Sequence, residues 1–196
     1  MKVLTRYFFV FFLSVYLLSN VSYAATYDID LDHTSVGFKI KHLLSNVQGQ
    51  FKDFKGTIDY DAEHPEALKV EGTVQAASID TNVPPRDKHL KSKDFFDVEK
   101  FPELTFNSTK YTPENAEKGK LEGLLNIHGV EKTVTFDVEI HGVAKDPWGN
   151  VRAAATATAK INRKDFGLAW NQALETGQLL VGEEVTITLE VEGIQK

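Results

Sequence analysis

Val151-Arg152-Ala153-Ala154-Ala155-Thr156-Ala157-Thr158-Ala159-Lys160-Ile161 alternates with a period of two. As a β-strand it sends Val151, Ala153, Ala155, Ala157, Ala159 and Ile161 to one face and Arg152, Ala154, Thr156, Thr158 and Lys160 to the other. The second face is mostly polar and belongs to water, so the alanine row is the inward side of a sheet. Alanine is a poor strand former and gives a core little to pack. A Leu→Ala change in a packed core typically costs about 3 to 5 kcal/mol, so four alanines in register leave a deficit that something must fill. Either large side chains from facing strands take up the room, or a ligand does.

The same period recurs along the chain. Val36, Phe38, Ile40 and His42 share a face opposite Lys39 and Lys41, and Leu68, Val70, Gly72, Val74 and Ala76 form a row opposite Lys69, Glu71, Thr73 and Gln75. Phe51, Phe54, Ile58 and Tyr60 make another, with the step from Phe51 to Phe54 marking a bulge or a tight bend. Leu104 and Phe106 follow, then Leu121 to Ile127, Val134 to Ile140, and Val185, Ile187, Leu189 and Val191 opposite Glu184, Thr186, Thr188 and Glu190. His128-Gly129 and Asp146-Pro147-Trp148-Gly149-Asn150 carry turn chemistry where hairpins need it. Eight or more antiparallel strands, each with one wet face, bury their apolar faces together as a barrel or sandwich. A barrel of about eight strands is just wide enough to be filled by side chains or to hold one narrow ligand. Gly72 and Gly123 on inward faces favour the ligand.

The first residues read as a secretory leader. Lys2 and Arg6 precede the apolar run Tyr7 to Leu18, and Ser22-Tyr23-Ala24 places small residues before a cut after Ala24 or Ala25. The run falls short of the roughly 20 residues a membrane-spanning helix needs. Residues 1–24 are thus expected to be removed on export to the periplasm, leaving a single domain over 25–196. Losing Lys2 and Arg6 takes the formal charge from −6 to −8. So acidic a chain has no general attraction for nucleic acid or an anionic membrane surface. With no cysteine there is no disulfide, thiolate chemistry or cysteine metal site.

Thr81 to Pro102 is the one long stretch without period two. Pro84-Pro85 suits a helix start, and Arg86 to Phe96 is long enough for about three turns before Phe101-Pro102 ends it. Leu90, Phe95 and Phe96 cannot form a core alone and are expected to plug or roof one end of the barrel as a lid. Within it, Arg86, Asp87 and His89 admit three readings: a His oriented by a carboxylate as general base, side chains that pin the lid, or a polar mouth for a ligand head group. No Ser or Cys nucleophile stands in a motif nearby, so no catalytic residue is assigned. The six histidines form no His-x-His or His-Glu-x-x-His pattern, and no metal site is assigned. Asp165 to Gly182, apolar but without a clear period, is expected to pack over a cavity mouth as a gate.

Ser78-Ile79-Asp80-Thr81, Arg86-Asp87-x-His89-Leu90, Asp94-Phe95-Phe96-Asp97, Phe101-Pro102, Phe106 and Ser108 stand in an order and spacing that resembles the YceI-like family of exported polyisoprenoid-binding proteins. Asp30, Asp32-His33-Thr34-Ser35 with Phe38 and His42, Gly49-x-Phe51, Gly123-x-Leu125 to Gly129-Val130, and Asn162-Arg163-x-Asp165-Phe166-Gly167 extend the likeness over nearly the whole mature chain. Tyr27 stands where many members carry Trp. The resemblance implies an all-β fold: an elongated, lipocalin-like antiparallel barrel of about eight strands with one short helical lid. It also implies a long apolar channel for an isoprenoid chain or a similar amphiphile such as a quinone or fatty amide.

The residues expected to wall that channel are Phe38, Ile40, Phe54, Val74, Leu90, Phe95, Phe106, Leu125, Phe136, Val138, Ala153, Ala155, Ala157, Ala159, Phe166, Trp170 and Ile187, with Arg86 and His89 at the head group. The expected protein is a cofactor-free carrier or store of a long apolar molecule rather than an enzyme. Its rivals are an enzyme using His89 on an isoprenoid lipid and a stress-protection module whose lipid is structural. The oligomeric state stays open, a homodimer included.

Overall fold

The computed structural model describes residues 24–175 and 177–196, and within them the alternating stretches are strands. The expected leader falls, except for Ala24, outside them. In chain order the strands are β1 (Ala25–Ile29), β2 (Ser35–His42), β3 (Ser45–Phe51), β4 (Phe54–Tyr60), β5 (Lys69–Gln75), β6 (Ile79–Asp80), β7 (Glu103–Pro113), β8 (Lys118–Ile127), β9 (Val130–Lys145), β10 (Val151–Asn162) and β11 (Val181–Gln195). One α-helix, α1 (Pro84–Lys91), lies between β6 and β7.

Eight of the strands close a ring. The order runs β1-β4-β5-β7-β8-β9-β10-β11, every neighbour is antiparallel, and β1 pairs back onto β11. β11 is long enough to share one edge between two partners: β2 lies along Val181 to Glu190, and β1 along Gly193 to Gln195. β2, β3 and β6 thus continue the sheet beside one end of β11, here called the upper end. The Phe51 to Phe54 irregularity is a tight bend that hands the chain from β3 to β4.

His128 (φ 55°) and Gly129 (φ 74°) form the two-residue link from β8 to β9. Both sit in the left-handed region that a tight hairpin turn requires, where glycine carries no steric cost.

The lower end is solid. Tyr27, Tyr60 and Tyr111 are buried together with Leu68, Leu121, Phe136, Val138 and Ala153. Burial raises the pKa of the Tyr27 and Tyr111 hydroxyls, and the neighbouring Tyr60 raises both further. Near this end Arg152 gathers three carboxylates: its Nη1 donates to Asp30 at 2.6 Å and Glu192 at 2.5 Å, and its Nε to Asp146 at 2.9 Å. These residues come from β10, the segment after β1, β11 and the β9–β10 turn, so one guanidinium ties the closure of the ring.

The Arg152 hydrogen bond holds the Asp30 carboxyl at about 2, below its ordinary 3.8, and Asp146 is lowered for the same cause. A carboxyl with a depressed folded-state pKa contributes stability that is complete above its unfolded value and is lost as pH falls through the folded one. Urea midpoints are therefore expected to fall steeply from pH 4 toward pH 2, and Arg152→Gln to lower the midpoint at neutral pH and flatten that acid slope. An unchanged slope in the variant would place the acid sensitivity elsewhere.

The lid helix is shorter than its sequence suggests. α1 stops at Lys91 because Ser92 turns extended (ψ 175°) and its Oγ donates to the His89 carbonyl at 2.7 Å. Phe95 and Phe96 follow in turns, with the Phe96 amide donating to the Leu90 carbonyl.

Candidate functional site: an apolar cavity under a pinned lid

Above the packed end, the interior opens into a cavity of about 660 Å³. That lies within the roughly 300 to 1,000 Å³ of small-molecule sites. Val36, Phe38, Ile40 and Val47 of β2 and β3 wall it, as do Phe54, Val70, Gly72 and Val74 of β4 and β5 and Leu104, Phe106, Leu125 and Ile127 of β7 and β8. Phe136, Ile161, Val185, Ile187, Leu189 and Val191 complete the ring, and Leu90, Phe95, Phe96, Phe166, Leu168 and Trp170 roof it.

The wall follows from the two-residue period. The strands contribute every second residue to the interior, and apart from the alanine row of β10 and the inward glycines these are mostly branched or aromatic. Rings touch along it: Phe38 to Phe51 at 5.9 Å, Phe51 to Phe96 at 5.8 Å, and Phe106 to Phe136 at 5.2 Å between centroids.

The expected channel residues Phe38, Ile40, Phe54, Val74, Leu90, Phe95, Phe106, Leu125, Phe136, Phe166, Trp170 and Ile187 are thus brought together on one cavity, with Arg86 and His89 beside them. Val138, Ala153, Ala155, Ala157 and Ala159 are not on its wall. Val138, Ala153 and Ala159 are buried at 6%, 7% and 5% exposure, and Ala155 and Ala157 are half-buried against the same core. The reason is their flanks: Ala155 lies between Ile140 and Val191, and Ala157 between Val138 and Leu189, so branched neighbours cover the small residues from both sides. The alanine row is thus flanked by branched side chains and lies off the cavity wall.

Gly72 and Gly123 divide the same way. A Cβ on Gly123 would stand 2.4 Å from the Phe106 ring, which already occupies its place, whereas a Cβ on Gly72 would meet only the Lys55 carbonyl at 4.0 Å.

The lid is pinned through Thr81, which is 4% exposed. Its amide and hydroxyl donate to Asp87 Oδ1 at 2.9 and 2.5 Å, while Arg86 donates from Nε to the Thr81 hydroxyl at 2.7 Å and from Nη2 to its carbonyl at 2.9 Å. Arg86 and Asp87 therefore act on the start of α1. His89 pairs with Asp94 rather than Asp87, Nε2 to Oδ2 at 2.9 Å, and presents its ring edge-on to Phe95 at 5.1 Å and Trp170 at 4.8 Å. That contact joins α1 to the loop after β10 and closes the roof.

Arg163, part of the Asn162-Arg163-x-Asp165-Phe166-Gly167 likeness but not among the expected channel residues, also borders the cavity. The period that puts Ile161 inside puts Arg163 inside as well, one step beyond the alanine stretch. At the lower end, Asp30, His33 and Glu192 offer oxygens and a nitrogen within 4.8 Å of one another, but Arg152 already stands against both carboxylates.

The chain matches the YceI-like domain over residues 27–193. Protein YceI of Salmonella agona (strain SL483) is 40% identical over 188 residues, 94% of this chain and 95% of the relative. The crystal structure of a Campylobacter jejuni YCEI protein is similar with a TM-score of 0.69 at 40% identity, over 85% of this chain and 96% of that one. A polyisoprenoid binding domain from Saccharophagus degradans, implicated in plant cell wall breakdown, shares the fold with a TM-score of 0.65 at 12% identity, over 88% and 99% of the two chains. On the domain match and on 40% identity along almost the full length of Salmonella YceI, this chain belongs to the YceI-like family.

Proposed function

We propose that this protein is a binding protein that holds a long apolar amphiphile, an isoprenoid chain, isoprenoid quinone or fatty amide, in the upper half of its barrel. The observation that carries the reading is the cavity: about 660 Å³ walled almost wholly by branched and aromatic side chains. Burying one isoprene unit of four to five carbons contributes about 3 to 4 kcal/mol at roughly 0.8 kcal/mol per methylene, an upper figure before ordering costs. The fold shared with a polyisoprenoid binding domain supports the same class. The leader-like start of the sequence supports export and a periplasmic site of action.

Binding rather than catalysis is favoured because the His89 ring is packed edge-on against Phe95 and Trp170 as part of the roof. Turnover of a labelled isoprenoid that is lost in His89→Ala while binding persists would overturn this reading.

Trp170 reports on occupancy. Its ring lies 4.8 Å from His89 and 5.2 Å from Phe95 at the roof of the cavity. Titration with a polyprenyl lipid is expected to change its emission saturably, and Trp148, 83% exposed at the β9–β10 turn, to contribute a constant background. A signal that changes only by dilution, in protein that native mass spectrometry shows to be loaded, would remove Trp170 from the mouth.

A further inference from the structure

Leu43 and Leu44 are the two residues that turn the chain from β2 into β3 at the upper end, where His42 pairs with Ser45. Leu43 sits at φ 51°, in the left-handed region that favours glycine or asparagine, and Leu44 is fully exposed. Small polar residues would cost less on both counts, so two leucines at this tip break a local rule and point to a use. The tip belongs to the lip of the cavity. The Leu43 amide donates to the Leu180 carbonyl at 3.0 Å, which ties the hairpin to the segment before β11. His42 and Leu180 line the cavity, and Leu179 beside them in sequence is 48% exposed. Val83 lines the cavity and is also 40% exposed, so the cavity reaches the surface at the start of α1.

The lip carries free cations. Lys39 and Lys41 of β2 and Lys88 of α1 are exposed and make no ion pair among the described residues. Lys88 lies on the side of α1 away from Arg86, His89 and Leu90, which border the cavity. Asp87, Asp94, Glu183 and Glu184 are engaged by Thr81, His89, Lys164 and Lys160. Asp165 and Glu175, between β10 and β11, are the carboxylates without such partners on these elements. At the lower end the exposed Leu31 and Trp148 stand instead beside Asp30, Asp32 and Asp146. Charge elsewhere on this acidic chain is screened beyond about 8 Å at physiological salt, so a surface meeting the lip feels the lysines.

We propose that this lip docks on an anionic lipid bilayer, with the Leu43-Leu44 tip among the head groups and Lys39, Lys41 and Lys88 on the phosphates. A protruding apolar tip suits a fluid surface, which needs no matching pocket, and basic side chains beside it are what an anionic surface holds. The cavity then opens toward the bilayer, and an apolar chain passes between the two without crossing water. This assignment rests on the carrier reading above.

The test floats the mature chain with vesicles of phosphatidylcholine alone and with vesicles of phosphatidylcholine and phosphatidylglycerol. The unaltered protein is expected to float with the mixed vesicles and far less with phosphatidylcholine. Leu44→Glu is expected to lower its partition onto the mixed vesicles roughly ten- to hundred-fold, the range of one leucine side chain leaving an apolar phase. Lys41→Glu with Lys88→Glu is expected to bring it down to the phosphatidylcholine level, and Trp148→Glu at the other end to change nothing. All these variants are expected to take up the neutral dye N-phenyl-1-naphthylamine as the unaltered protein does, which shows that fold and cavity are intact.

If the unaltered protein takes up the dye but floats with neither vesicle, or floats equally with both, the proposal is overturned and the carrier reading stands. Flotation unchanged in Leu44→Glu overturns it too. A dimer that Leu44→Glu converts to a monomer, without flotation of the unaltered chain, gives the lip to a second copy and overturns the membrane assignment. An unaltered protein that takes up no dye removes the carrier reading, and this inference with it.

Discussion

Gly72→Phe is expected to abolish uptake of a long-chain amphiphile while leaving the barrel at least as stable as before. Gly72 lies on β5 between Val70 and Val74, both on the cavity wall, and pairs with Gly56 on one side and Phe106 on the other. Since a Cβ there meets nothing closer than 4.0 Å, the new ring projects into free space without displacing backbone. It takes the room of about four to five methylenes, which at roughly 0.8 kcal/mol each removes about 3 to 4 kcal/mol of ligand burial, two to three decades in affinity. Stability gains from the same change, because glycine in a strand interior packs nothing. Dye displacement and a thermal melt on one preparation check both halves. Retained affinity would mean that the ligand lies elsewhere, and a lowered melting point that the space is not free.

The second large effect is on stability. Phe166, 1% exposed, is the largest fully buried side chain among the described residues, and it sits in a short 3₁₀ turn (Arg163–Phe166) that Asn162 caps by accepting the Lys164 amide at 2.9 Å. Phe166→Ala is expected to cost about 3 to 5 kcal/mol. At roughly 2 to 4 °C per kcal/mol for a chain of this size, the melting point falls by about 6 to 20 °C. Because Phe166 also borders the cavity, a saturating amphiphile is expected to recover part of that loss by refilling the space. A loss below about 1 kcal/mol in urea unfolding would show that the loop after β10 is not part of the cooperative core.

The strands were readable because every one of them has a wet face. Lys39 and Lys41 between Phe38, Ile40 and His42, or Thr186 and Thr188 between Val185, Ile187 and Leu189, fix which side chains point inward without knowledge of any partner strand. What lies next to an inward residue depends on register, and register is a long-range property. Ala155 and Ala157 pack toward the core but are flanked by Ile140, Val191, Val138 and Leu189, which come from other strands, so what stands beside them cannot be read from their own stretch. Gly72 and Gly123 looked alike in sequence and differ only because the Phe106 ring lies over one of them. The helix ran short for a local reason, the Ser92 hydroxyl competing for the His89 carbonyl, and helix ends are sensitive to single side chains of this kind.

The roof was half legible. Leu90, Phe95, Phe96 and Trp170 had to cover something, and they do. The pairing of His89 with Asp94 rather than Asp87 follows from the turn after Lys91, which the expected longer helix would not have made. Arg163 stands in a quoted motif, but its place at the cavity is not legible there because its acceptors are all backbone carbonyls, which leave no trace in residue identity. The signal that was available is its place one step past Ile161 on the inward row.

β11 gives its far stretch to β1 and its near stretch to β2, and this shared edge splits the molecule into a foundation and a vessel. The tyrosine cluster and the Arg152 knot belong to the foundation, and Phe136, Ile29 and Val191 form the seam at which it meets the vessel. In such a two-part build the inner lining can be recut by substitution while the Arg152 knot at the base goes on holding the ring shut.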